Sequence, residues 1–110
     1  MVFQIGTALL DAYVLAILSR EDTYGYVLTQ NVKEIISISE STLYPVLRRL
    51  QKDDCLTVYD VPFQGRNRRY YKITDSGREK LAEYISEWQS FKGKVDKILS
   101  EVGGKDNEQS

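Results

Sequence analysis

In the stretch STLYPVLRRL, Ser41 to Leu50, the residues Leu43, Val46, Leu47 and Leu50 recur at helical spacing and predict a buried stripe. Ser41, Tyr44, Pro45, Arg48 and, just beyond, Lys52 fall on the opposing side at spacings of three and four. A side that presents hydroxyls, two cations and an exposed proline ring faces something polar and negative. Ser39 is placed to cap the free N–H groups of the first turn, so the helix is expected from Ser39 to about Asp53. Pro45 removes one backbone hydrogen bond near the N-terminal end and predicts an early kink rather than a stop.

Downstream, Leu56 to Val61 and Arg68 to Ile73 are short, β-branched and aromatic, and Pro62-Phe63-Gln64-Gly65-Arg66-Asn67 between them supplies turn chemistry. A β-hairpin follows, with Gly65-Arg66-Asn67 as a cationic tip. Alternation puts Arg69, Tyr71 and Ile73 on one face of its second strand and Arg68, Tyr70 and Lys72 on the other. Thr74 ends the strand and is expected to cap a last helix from Asp75 to about Val102. Along that helix Leu81, Ile85, Trp88, Val95, Ile98 and Val102 recur every three, four or seven residues, with Phe91 and Leu99 beside them. The stripe is longer than a small domain can cover. The tail from Gly103, GGKDNEQS, reads as polar and disordered.

Upstream, Ile5 to Ser19 is apolar almost all round and must be covered on more than one side. Thr23 to Ile36 predicts a second helix with Thr23 as N-cap. Gly25, near its start, points to a close approach by another backbone or helix, because it lacks a Cβ.

Length and composition bound the function. A chain of 110 residues, 42% hydrophobic and 28% charged, is one domain's worth of core. The run from Ala8 to Leu18 is about half the ~20 residues of a membrane span, and no signal-peptide pattern precedes it, so a cytoplasmic protein without membrane association is expected. There is no histidine and a single cysteine, Cys55, which leaves the common metal sets and His-based catalysis without parts. Tyr70, Tyr71 and Cys55 have no base beside them, and Cys55 reads as a small core residue. No catalytic residue, metal ligand or cofactor is expected. The formal net charge is −1, yet residues 41–72 hold seven basic and three acidic side chains against two and five in residues 1–40. The basic island coincides with the third helix and the hairpin.

Three helices, a hairpin and a further helix predict a mainly α chain with a β-hairpin: a winged helix-turn-helix plus a long C-terminal dimerisation helix. In this architecture the third helix enters the major groove of double-stranded DNA while the wing lies along the backbone or a minor groove. The competing class is a winged helix that docks an acidic protein partner without operator binding, for which the overall negative charge is the one argument.

The chain also resembles the PadR-like transcriptional regulators in their short form with one C-terminal helix. The resemblance covers nearly the whole chain. It rests on Tyr24-Gly25-Tyr26, on Ser41-Thr42-Leu43-Tyr44-Pro45 followed by Leu47-Arg48-Arg49-Leu50, on Arg69-Tyr70-Tyr71 with Ile73-Thr74, and on Gly77 and Trp88. The sequence departs where Tyr24 replaces the histidine of the usual His-Gly-Tyr. The resemblance implies a homodimeric repressor released from its operator by a small molecule. It extends to the multidrug-sensing branch, where a last-helix tryptophan from each subunit stacks on planar hydrophobic compounds at the dimer centre. Trp88 holds that region here, and packing of the dimer seam is the alternative role.

The expected organisation is a DNA-binding domain over residues 1–74, whose first helix shares the dimer interface, a dimerisation helix over 75–102 and a tail over 103–110. The expected DNA-binding set is Ser41, Thr42, Tyr44, Arg48, Arg66, Arg68 and Arg69. Trp88, Asp11, Ala12 and Lys92 form the expected effector set. A carboxylate at Asp11 in an apolar helix needs a partner, for which a cationic ligand, Lys92 or solvent qualifies. The dimer interface is assigned to Leu9, Leu81, Ile85, Trp88, Val95 and Ile98.

Overall fold

The helix at the centre of the molecule is α1 (Thr7–Arg20), which packs against the later helices α2 (Gly25–Lys33), α3 (Glu40–Lys52) and α4 (Asp75–Glu108) and against the strand Arg66–Ile73. The computed structural model describes residues 7–108, with side chains for 9–39 and 41–103. The expected helix start at Ile5 therefore lies outside the described residues. Leu10, Val14, Leu15 and Leu18 of α1 are buried and Tyr13 and Ile17 partly so, the all-round coverage that its composition demands.

Strands β1 (Thr23–Tyr24), β2 (Leu56–Phe63) and β3 (Arg66–Ile73) form an antiparallel sheet in the order β1-β3-β2. β1 corrects the sequence reading. Thr23 does not cap α2; it is a buried strand residue opposite Tyr71, and Tyr24 stands at the N-cap position with no side-chain hydrogen bond. The tertiary pairing with the free edge of β3 overrides the local capping preference. α2 also ends at Lys33 rather than Ile36, leaving Ile35 exposed.

The hairpin is longer than its turn residues suggest. Pro62 and Phe63 pair with Asn67 and Arg66, so only Gln64 and Gly65 form the loop, with φ of 50° and 78°. A two-residue loop with positive φ at both positions matches the right-handed twist of the strands. Pro62 is compatible with β2 because β2 is an edge strand. Arg66 and Asn67 are consequently strand residues, and the cationic tip narrows to Arg66 at the strand's first position.

Thr74 caps α4 as expected, its hydroxyl accepting the Gly77 N–H at 2.9 Å. Gly77 is where α4 meets the end of α3 and the start of β2: a Cβ there would sit 2.2 Å from the Cys55 carbonyl oxygen and 2.7 Å from Ile73 Cγ1. α4 continues to Glu108, past the expected end at Val102, so the tail up to that residue is helical; residues 109–110 lie outside the described residues. The Gly103-Gly104 pair weakens a helix by about 1 kcal/mol per residue relative to Ala but, unlike proline, blocks no hydrogen bond.

Candidate nucleic-acid interface

Leu43, Val46, Leu47 and Leu50 bury one face of α3 in the common core. That burial fixes the rotation of the helix and leaves Ser41, Thr42, Pro45, Arg48 and Lys52 exposed. Ser39 occupies the N-cap position, but its hydroxyl bonds the hydroxyls of Ser41 at 2.7 Å and Thr42 at 3.2 Å instead of a backbone N–H. The expected cap is thus replaced by a hydroxyl cluster at the end of α3 where the helix dipole favours an anion. The helix continues through Pro45, whose missing N–H releases the Ser41 carbonyl from the ladder.

Tyr44 is half-buried rather than fully offered to solvent. Its hydroxyl lies where a Cβ at Gly25 would approach to 3.2 Å, so Gly25 admits a side chain of α3 rather than a backbone. Tyr71 of β3 lies close enough to Tyr44, Arg48 and Arg69 to feel all three. Burial pushes its hydroxyl pKa up, Tyr44 adds to this, and the two arginines oppose it. Arg48 on the exposed side of α3 and Arg69 on the wing are both exposed, and both lie within electrostatic reach of Tyr71. Arg69 also faces Asp60 across the hairpin, Nε to Oδ1 at 3.4 Å, with both side chains exposed.

The other face of the sheet holds Arg68. Register places Tyr24, Tyr70 and Tyr59 side by side across all three strands, with Tyr59 stacked on Tyr70 at 5.5 Å and 14° and Tyr70 edge-on to Tyr24 at 5.5 Å and 62°. The Arg68 guanidinium carbon sits 4.0 Å from the Tyr24 ring centre and 3.8 Å from that of Phe63. Tyr59 donates to Asp22 Oδ2 at 2.7 Å, and this bond pushes its pKa up to about 12. The wing arginines are therefore divided between the two faces, as alternation requires.

Within one chain, Asp11 and Lys92 of the expected effector set each have a partner of their own. Asp11 is 2% exposed, and both of its oxygens accept from Arg49, Nη1 to Oδ2 and Nη2 to Oδ1 at 2.7 Å; Oδ2 also accepts from the Tyr84 hydroxyl at 3.1 Å. Its partner within the chain is Arg49 rather than Lys92, which pairs with Asp96 at 3.2 Å. A bidentate guanidinium outcompetes a primary ammonium in matching a planar carboxylate. The carboxylate raises the Arg49 pKa further, chiefly through the hydrogen bonds, and burial together with Asp11 brings Tyr84 to about 12. Arg49, one of the basic island's seven cations, is thereby committed to holding α1, α3 and α4 together. Ala12 and Leu9 are half-buried on α1. Trp88 is 43% exposed on α4, with Phe91 at 6.3 Å, and Ile85, Ile98, Leu99 and Val102 are exposed along the same helix. Leu81 and Val95 are half-buried. Cys55 is buried, as its place at the start of β2 implies, and burial raises its thiol pKa.

Among the described residues no group of three or more His, Cys, Asp or Glu side chains is placed to hold a metal ion, and no helix is long and apolar enough to cross a membrane.

Comparison with known proteins bears on this arrangement. The model of the PadR-like transcriptional regulator family matches residues 14–83, which span α1 from Val14 to the first turns of α4. The solved structure of smu.1704 from Streptococcus mutans is 42% identical, covers 91% of this chain and 94% of its own, and superposes with a TM-score of 0.85. A PadR-like transcriptional regulator of Bacillus cereus is 33% identical over 83% of this chain and 91% of its own, with a TM-score of 0.76. The transcriptional regulator Rv3488 of Mycobacterium tuberculosis is 38% identical over 63 residues, 56% of this chain and 59% of that protein.

Proposed function

This chain belongs to the PadR-like transcriptional regulator family, and on that premise we propose that it is a homodimeric repressor which reads a duplex operator through α3 and the wing and is released by a small molecule. The family's members are DNA-binding transcriptional regulators rather than enzymes. The observation that carries the proposal is the joint exposure of Ser41, Thr42, Pro45 and Arg48 on one side of α3, with Arg69 exposed on the wing face that carries Tyr71. In the proposed complex, Ser41 and Thr42 meet phosphates or base edges at the helix N-terminus, Tyr44 contributes its half-exposed edge, and Arg48 reads a guanine or holds the backbone. Arg66, Arg68 and Arg69 act on phosphates. The exposed apolar residues of α4 support a second copy as the partner that covers them, with Leu9 of α1 at the edge of that contact. Trp88 and Phe91 offer the aromatic face on which a planar compound would stack.

The test is duplex binding across a salt series. Each phosphate neutralised contributes a slope of about −0.9 in log affinity against log salt, so the parent should show steep loss. Arg66→Ala with Arg68→Ala should lower that slope by ~1–2 units and weaken all sequences alike, whereas Arg48→Ala should change the ranking of operators. Salt-insensitive binding, or binding untouched by all of these substitutions, would reject the DNA surface and leave the acidic-protein docking module as the alternative.

A further inference from the structure

The register of the sheet sets Arg68 on the central strand between a ring from each neighbour. Tyr24 of β1 is opposite Tyr70, two residues along β3 from Arg68, and Phe63 of β2 is two residues beyond Val61, the partner of Arg68. All three side chains lie on one face, and the guanidinium is 4.0 Å from one ring centre and 3.8 Å from the other. We propose that Tyr24 and Phe63 are positioning residues that hold the Arg68 guanidinium in one orientation for the DNA backbone. The proposal rests on the wing contact put forward above.

Physical chemistry supports the assignment. An arginine on a strand exposed to solvent ordinarily samples many rotamers and loses that freedom when it engages a phosphate. Rings on both sides restrict it beforehand, while the N–H groups, which lie in the guanidinium plane, stay available for a two-pronged phosphate contact. The rings are themselves fixed. Tyr24 abuts Tyr70, Tyr70 stacks on Tyr59, and Tyr59 is tied to Asp22 in the turn after α1. Arg66, by contrast, is exposed beside the turn and has no ring contact of this kind among the described residues. Of the cations on this face, Arg68 is held between two rings, whereas Arg66 is not.

The experiment uses a labelled duplex selected by the parent protein from a randomised pool. Arg68→Ala is expected to lower the salt slope by about 1, the value for one lost phosphate contact. Phe63→Leu, at an exposed strand end, is expected to weaken binding by about 3- to 10-fold, the cost of ordering one arginine side chain on binding, with the salt slope unchanged. Tyr24→Leu should act in the same direction, and Phe63→Leu in the Arg68→Ala background should have no further effect. Arg68→Lys should retain the slope while losing the affinity given by the rings. An equal loss from Phe63→Leu with and without Arg68 would overturn the proposal, because the ring would then serve the wing's stability alone. Unchanged affinity in the Phe63→Leu variant would overturn it as well. If Arg68→Ala alters neither slope nor affinity while Arg48→Ala still does, the positioning role fails and the DNA reading through α3 survives.

Discussion

At the scale of single residues, the buried carboxylate of Asp11 shows how unequal the two ends of one ion pair are. Asp11 is 2% exposed, whereas the Arg49 side chain is 41% exposed and can rehydrate. Removing Arg49 strands a buried charge with only the Tyr84 hydroxyl for company, so Arg49→Ala should cost about 3–5 kcal/mol, the range for an uncompensated buried ion. Asp11→Asn leaves a neutral acceptor and a cation that reaches water, and should cost about 1–2 kcal/mol. Urea midpoints of the two variants check the order, and equal losses would refute it. Gly77→Ala belongs at the same scale. The new methyl would meet a backbone carbonyl at 2.2 Å, and overpacking against atoms that cannot rotate away should cost about 3 kcal/mol. Tyr84 adds a pH dependence. Its folded pKa, about 12, lies above the ordinary tyrosine value of 10.0, because burial and Asp11 both favour the protonated phenol. Between those values the native state binds the proton that the unfolded chain releases, so stability is intact below pH ~10 and falls as pH rises toward ~12. Tyr84→Phe should flatten that alkaline decline in melting curves recorded against pH.

The elements differ in how much of their structure was legible, and the difference follows the range of the interaction that fixes them. The stripe of α3 was readable because four apolar side chains at helical spacing have one way to be buried. The cap of α4 was readable because Thr74 and Gly77 are three residues apart. β1 was not, since two residues carry no period and its existence depends on an open edge of β3 nearly 50 positions downstream. The Asp11–Arg49–Tyr84 cluster joins residues separated by 38 and 73 positions, which no local pattern encodes. For the proposed DNA-binding set, exposure can be read from the helix period, but the half-burial of Tyr44 and the ring contacts of Arg68 require the packing of α3 on Gly25 and the sheet register. The hairpin loop is shorter than its residues suggest because Pro62 and Asn67, turn formers in isolation, pair with each other, Pro62 on the edge strand β2 and Asn67 on β3. Gln64 is the residual mismatch. A φ of 50° suits Asn or Gly better than Gln, so Gln64→Asn should stabilise the hairpin by about 0.5–1 kcal/mol, visible as a higher urea midpoint with unchanged m.

On the scale of the whole molecule, the shape sets the question of assembly. The radius of gyration is 17.6 Å and the long axis 65 Å, whereas a compact chain of this length has a radius of about 13 Å. The excess comes from α4, whose 34 residues extend about 50 Å and carry Phe91, Ile98, Leu99 and Val102 exposed. An apolar stripe of this kind in water calls for a partner, and in the proposed homodimer a charge placed in it should separate the two copies. Val95→Glu or Ile98→Glu is expected to yield monomer by sedimentation at micromolar concentration, with the winged domain still folded. A parent that is itself monomeric there would refute the dimer and the effector site together. If the dimer stands, the effector question reduces to linkage. A ligand between the two Trp88 side chains lowers operator affinity only if it binds the DNA-free arrangement more tightly than the DNA-bound one. Half-sites one helical turn apart are ~34 Å between centres, so a small rotation of each α4 is enough to spoil the joint fit of both copies of α3. The path for that rotation is short, because Tyr84, one turn before Trp88, is bonded to Asp11 and through it to Arg49 on α3. A planar hydrophobic dye should quench Trp88, the chain's one tryptophan, and lower operator affinity. Tyr84→Phe should keep the quenching yet reduce the loss of affinity, since it cuts the link without touching the stacking face. Dye binding unchanged in a folded, dimeric Trp88→Ala variant would refute the sensor, and an undiminished response in Tyr84→Phe would refute this route from α4 to α3.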